Sequence, residues 1–142
     1  MKFAIVSITA LMLLFASSKT QAQTIDLEPF SGEAFCYGTE PFWSLDYADG
    51  QGRWSNYGSD GWLEFSLSGT FRVAGAAYGP IAVWRGNTGE PDAGDYVIVA
   101  EPAEIEVSEQ DDFLPTHAAV VVTPKGELLR GTCSLPARAI GW

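Results

Sequence analysis

Residues 36–47 read CYGTEPFWSLDY and set the acid Glu40 three positions ahead of the indole of Trp43. An acid beside an aromatic wall is one way to build a general acid or a ligand clamp, because an apolar surround favours the protonated carboxyl and a ring face supports a bound group. Catalysis by Glu40 requires a partner, and the neighbouring residues indicate none. Gly38 and Pro41 instead mark a turn, so Glu40 is expected to accept hydrogen bonds from turn amides. Trp43 is then expected to close one end of a core, with its N–H satisfied at the rim. Gly38, Glu40, Pro41, Phe42 and Trp43 are therefore read as a structural motif.

The other chemical groups are scattered. His117 is the single histidine, which rules out a histidine cluster for zinc or copper, and no serine lies in a Gly-x-Ser-x-Gly context. Gly86, Gly89 and Gly94 sit among Glu90, Asp92 and Asp95, without the lysine and following helix of a phosphate cradle. The eighteen acidic residues guarantee carboxylate pairs of the kind that cleave glycosides, which keeps an envelope hydrolase as an alternative. Asp92 with Asp95, or Asp46 with Asp49, offers hard oxygen ligands in turns, yet neither run follows the twelve-residue calcium-loop pattern. No cofactor and no metal site is expected.

The elements that must position these groups read as strands. After Phe42, period-two runs recur between turn signals: FWSLDY, GWLEFSLSG, TFRVAG, PIAVWRG, DYVIVAEP, AEIEVSE, HAAVVVTP, ELLRGTC and ARAIGW. Leu63, Phe65 and Leu67 share one face, and Trp62, Glu64 and Ser66 the other, as in a sheet with one buried side. The fold class is all-β, a small antiparallel barrel of about eight strands, chosen because closure removes the exposed edges of a sheet. Two polar loops interrupt the rhythm: residues 86–95, and residues 108–117 with an apolar tip at Phe113 and Leu114.

Residues 1–22 carry Lys2, an apolar run from Phe3 to Phe15 and small residues up to Ala22, the pattern of a secretory signal peptide. A short, loosely held arm, 23–32, and one domain, 33–142, are expected to follow, with no membrane anchor and a periplasmic or secreted location. In an oxidising compartment the only two cysteines, Cys36 and Cys133, read as a disulfide. Loss of Lys2 and Lys19 leaves six basic side chains against eighteen acidic ones, a net charge near −12. Such a surface repels nucleic acid and anionic lipid and suits a basic protein, a cation or simple solubility.

The run CYGTEPFWSLDY, with the strand Ala118–Thr123 and Gly131-Thr132-Cys133, resembles a family of small exported bacterial proteins of uncharacterised function. Their pattern is a cysteine, Gly-Asn-Glu-Pro-Phe-Trp or a variant, a β-rich middle and a closing Gly-x-Cys; Thr39 stands here for the asparagine. The resemblance implies the fold, export and the disulfide, and no activity. A weaker resemblance is to periplasmic inhibitors of c-type lysozyme. Residues 74–78, AGAAY, keep the glycine and tyrosine of the inhibitory loop without its serine and basic residue. The expected function is a non-enzymatic envelope binding protein for a basic protein or small ligand. Inhibition of a basic lysozyme is an alternative; Gly75, Tyr78, Asp92 and Asp95 are the candidate partner-binding residues.

Overall fold

The computed structural model describes residues 26–74, 81–107 and 112–136. The expected leader at 1–22 and the run ARAIGW lie outside the described residues. Nine strands follow in chain order: β1 Leu27–Pro29, β2 Ala34–Thr39, β3 Phe42–Ala48, β4 Gln51–Gly58, β5 Gly61–Ala74, β6 Ala82–Asn87, β7 Tyr96–Pro102, β8 His117–Val122 and β9 Leu128–Ser134. No helix occurs among the described residues.

All pairings are antiparallel. They run β5-β4-β3-β2-β9-β8-β7-β6, and β5 pairs β6 to complete the circle. This is a closed eight-stranded barrel with β1 as an extra strand on β5. The runs GWLEFSLSG and TFRVAG, separate by their turn signals, form one 14-residue strand. Its first half, Gly61–Ser68, pairs β4, and its second half, Ser68–Val73, pairs β6. Changing partners midway is how a long, tilted strand carries a sheet round upon itself.

Two expectations need amendment. The alternating segment AEIEVSE forms no strand over residues 103–107. Both sides of β7 are occupied by β6 and β8, so its period-two pattern has no free ladder to join. Within the arm, β1 pairs β5, and the Phe30 N–H donates to the Phe71 carbonyl at 2.7 Å, so this stretch is held rather than loose.

Alternation puts one face of every barrel strand inside. Leu45, Leu67, Phe71, Trp84, Ile98 and Val121 are wholly excluded from solvent and fill one half of the interior. Cys36 and Cys133 face each other across β2 and β9, fully buried, with their Cα atoms 4.0 Å apart, and form the expected disulfide. It joins the first and last barrel strands of the chain. The disulfide is compatible with an extracellular location, and no helix among the described residues is long and apolar enough to cross a membrane.

Candidate functional site

The β2–β3, β4–β5 and β8–β9 turns and the β6–β7 loop stand around one end of the barrel. They enclose a cup of about 660 Å³, a volume within the usual range of small-ligand sites. Its wall is a run of inward-facing rings. Trp43 lies nearly parallel to Trp54, with centroids 5.3 Å apart and planes 9° from parallel. Tyr96 tilts against Trp54 at 4.8 Å, and Phe65 against Tyr96 at 5.7 Å. Four rings from β3, β4, β7 and β5 thus stack in series, with Trp43 and Trp54 buried in the core and Phe65 and Tyr96 half-buried at the cup.

The motif of residues 38–43 explains how Trp43 reaches this position. A Cβ on Gly38 would meet the Trp43 indole nitrogen and the Arg130 carbonyl, and one on Gly131 would meet the Tyr37 carbonyl and the Trp43 ring. Bare backbone at both positions lets the indole lie flat across β2 and β9. Its N–H donates to the Arg130 carbonyl at 3.1 Å, as expected of a satisfied rim indole. The glycine of the first motif and that of the closing Gly-x-Cys therefore serve one tryptophan. Glu40 is exposed on the turn, and among the described residues no donor bonds its carboxylate, so the expected capping of turn amides is not formed. The turn is instead shaped by Pro41, which follows a cis peptide bond.

Polar groups interrupt the apolar wall at defined heights. The Trp54 N–H donates to Asn56 Oδ1 at 3.1 Å, which fixes the amide at the wall. Higher up, Thr123 accepts from the Glu127 amide at 3.2 Å, and its hydroxyl donates to Glu127 Oε2 at 3.4 Å. This holds the Glu127 carboxylate beside the mouth. Burial and the nearby Glu127 charge both push the Tyr96 phenol above its ordinary pKa. Asp92 and Lys125 complete the charged part of the lining. Around the opening, Phe42, Tyr57, Trp62, Leu63 and Leu128 remain exposed, with Tyr57 and Trp62 edge to face at 5.5 Å.

The remaining candidates fall elsewhere. Asp95 bonds the Arg85 guanidinium and accepts from the Asn87 amide at 2.8 Å, and these hydrogen bonds hold its carboxyl below the usual range. It anchors the β6–β7 loop through Asn87 and Arg85. Asp92, three residues earlier with φ of 64°, lines the cup. Asp46 pairs with Arg53 at 2.9 Å on the outer wall. His117 is buried at the closed end, where Nδ1 lies 2.7 Å from the Thr116 hydroxyl and burial lowers its pKa. Phe113 packs on Phe35 at 4.2 Å and covers a shallow outer hollow of about 260 Å³. Gly75 and Tyr78, the residues of the inhibitor-like loop, lie outside the described residues.

Trp54, Asn56, Phe65, Tyr96, Thr123 and Glu127 were not singled out in the sequence. Phe65 was assigned to a face shared with Leu63 and Leu67, and inward alternation was the signal available for the rest. Comparison of the chain with protein-family models, curated proteins and solved structures returned no match.

Proposed function

We propose that this is a non-enzymatic binding protein of the periplasm or extracellular space, whose barrel mouth takes up a small ligand with an apolar body. The observation that carries the reading is the cup of about 660 Å³, walled by aromatic rings at one end of a barrel whose other half is packed with buried side chains among the described residues. A cavity with a mostly apolar wall and a few fixed polar groups is the usual form of a small-molecule site. Export is supported by the leader-like start of the sequence and by the disulfide. The non-enzymatic part is supported by the position of the single histidine and of three candidate acids outside the cup, whose own charged lining is Asp92, Lys125 and Glu127. His117 is sealed in the far end, Asp46 and Asp95 hold arginines, and Glu40 projects from a turn.

A neutral fluorescent apolar probe, N-phenyl-1-naphthylamine, tests this directly. Its emission is expected to rise on saturable one-to-one binding, and Ala93→Trp is expected to abolish the rise by filling the mouth from a loop while leaving every strand unchanged. Equal enhancement by the wild type and by Ala93→Trp would place the probe elsewhere and sink the proposal.

A further inference from the structure

Resting on the reading of the mouth as a ligand site, we propose that its preferred ligand is an organic cation, an ammonium group on an apolar body. The body would lie on the half-buried rings of Tyr96 and Phe65, in front of the buried Trp54, and the charge would sit at the rim beside Glu127 and Asp92. Three observations converge on this class.

The wall presents tilted aromatic rings, whose faces carry the negative potential that attracts a cation close above them. Glu127 and Asp92 have no cationic partner among the described residues, where the ion pairs are Arg53 with Asp46 and Arg85 with Asp95. Glu127 is held only by the neutral hydroxyl and amide contacts with Thr123, so its charge remains available to a ligand. Its field also reaches into the cup, because it acts on the Tyr96 phenol; Glu127, Asp92 and Lys125 are all exposed at the rim, so two carboxylates stand there against one ammonium. The protein as a whole carries a net charge of −10, so the long-range field favours the same sign of ligand.

Three probes of nearly equal shape separate the charge from the body: 2-phenylethylammonium, 2-phenylethanol and 3-phenylpropanoate. Each would be titrated against the purified, oxidised protein and followed by tryptophan fluorescence at low salt. The ammonium is expected to bind about tenfold more tightly than the alcohol, the scale of one close charge pair in a partly wet site. The carboxylate is expected to bind most weakly. Glu127→Gln should bring the ammonium-to-alcohol ratio close to unity. Glu64→Gln removes an equal charge from the outer face of β5 and should preserve the ratio.

Equal affinity for ammonium and alcohol in the wild type would overturn the cation preference while leaving the cup as an apolar site. So would a ratio that survives Glu127→Gln, or tightest binding of the carboxylate with loss on Lys125→Gln. Failure of all three probes, together with failure of the naphthylamine probe, would overturn the site itself.

Discussion

Toward the β3–β4 turn, the inward positions of the barrel carry Tyr47, Phe71, Val73, Ala100, Ala119 and the disulfide, all of them buried. Toward the β2–β3 turn, the same inward series continues with Asn56, Phe65, Tyr96 and Thr123, and a cup remains. The strands, their pairing and their alternation are common to both halves. What differs is the fill: apolar side chains interdigitate across the axis in one half, whereas in the other the rings lie back along the wall and short polar side chains leave space. One half supplies cohesion and the other supplies access. Substitutions should therefore separate into those that unfold the protein and those that alter only what the mouth holds.

The largest effects are expected in the filled half. Trp84→Ala should cost about 3–5 kcal/mol and Leu67→Ala about 2–5 kcal/mol, since both side chains are fully buried and the closed barrel cannot collapse onto the space they leave. Urea unfolding monitored by far-UV circular dichroism measures both. Because the buried Trp84 N–H has no partner among the described residues, Trp84→Phe should cost clearly less than Trp84→Ala. Replacing Cys36 and Cys133 together by Ala should come next, at about 2–4 kcal/mol. The bridge spans a sequence separation of 97 and restricts the unfolded chain. An unchanged urea midpoint in the double variant would show that the ladder between β2 and β9 closes the barrel unaided.

Gly38→Ala tests the boundary between the two halves. A Cβ there meets backbone at Arg130 as well as the Trp43 ring, so the indole must shift, at about 1–3 kcal/mol. The displaced ring should also weaken probe binding in the cup. A destabilised variant with normal probe affinity would show that the Trp43 wall is dispensable for the site.

How much of this was legible in the sequence depends on the range of the contact. The strand at 62–67 and its two faces follow from local alternation, and the two cysteines had only each other to pair with. The tryptophan in GTEPFW was expected to close a core end, but the reason for Gly131 was not readable, because Gly38 and Gly131 meet only when β2 lies beside β9. The continuity of β5 was hidden for a similar reason, since its two halves pair different strands. The cup was hidden most completely. Trp54, Tyr96 and Glu127 lie in separate parts of the chain, and each alone resembles an ordinary strand or turn residue until closure of the barrel brings them round one opening.

A smaller, pH-dependent effect belongs to the closed end. Burial lowers the His117 pKa, so the folded protein holds this ring neutral while the unfolded chain binds a proton below about 6.5. Its contribution to stability is complete above that value and is lost as pH falls from 6.5 toward the folded pKa. Asp95 acts in a separate window. Its folded pKa lies below 3.8, so its contribution is present above 3.8 and lost on further acidification. Urea midpoints measured from pH 7 to pH 4 should fall, and His117→Asn should flatten the upper part of that slope. A flat wild-type profile between pH 6.5 and 5 would mean that the ring is protonated without disturbing the packed end.

The smallest change in stability is expected at Leu63, and it gives the sharpest contrast. Leu63 and Leu67 lie on the same face of β5, but Leu67 is fully buried while Leu63 is 49% exposed at the lip of the cup. Leu63→Ala removes a side chain that is already half in water and next to open space, so the cavity term that makes Leu67→Ala costly is absent. The loss should stay within about 0.5 kcal/mol, as for an ordinary surface substitution. A bound apolar ligand would cover that exposed half, and covering it contributes about 1 kcal/mol, or roughly fivefold in affinity. The naphthylamine probe should therefore bind about fivefold more weakly to Leu63→Ala, at an almost unchanged urea midpoint. Loss of stability without loss of affinity would reverse the assignment, making the lip part of the core and placing the ligand outside the cup.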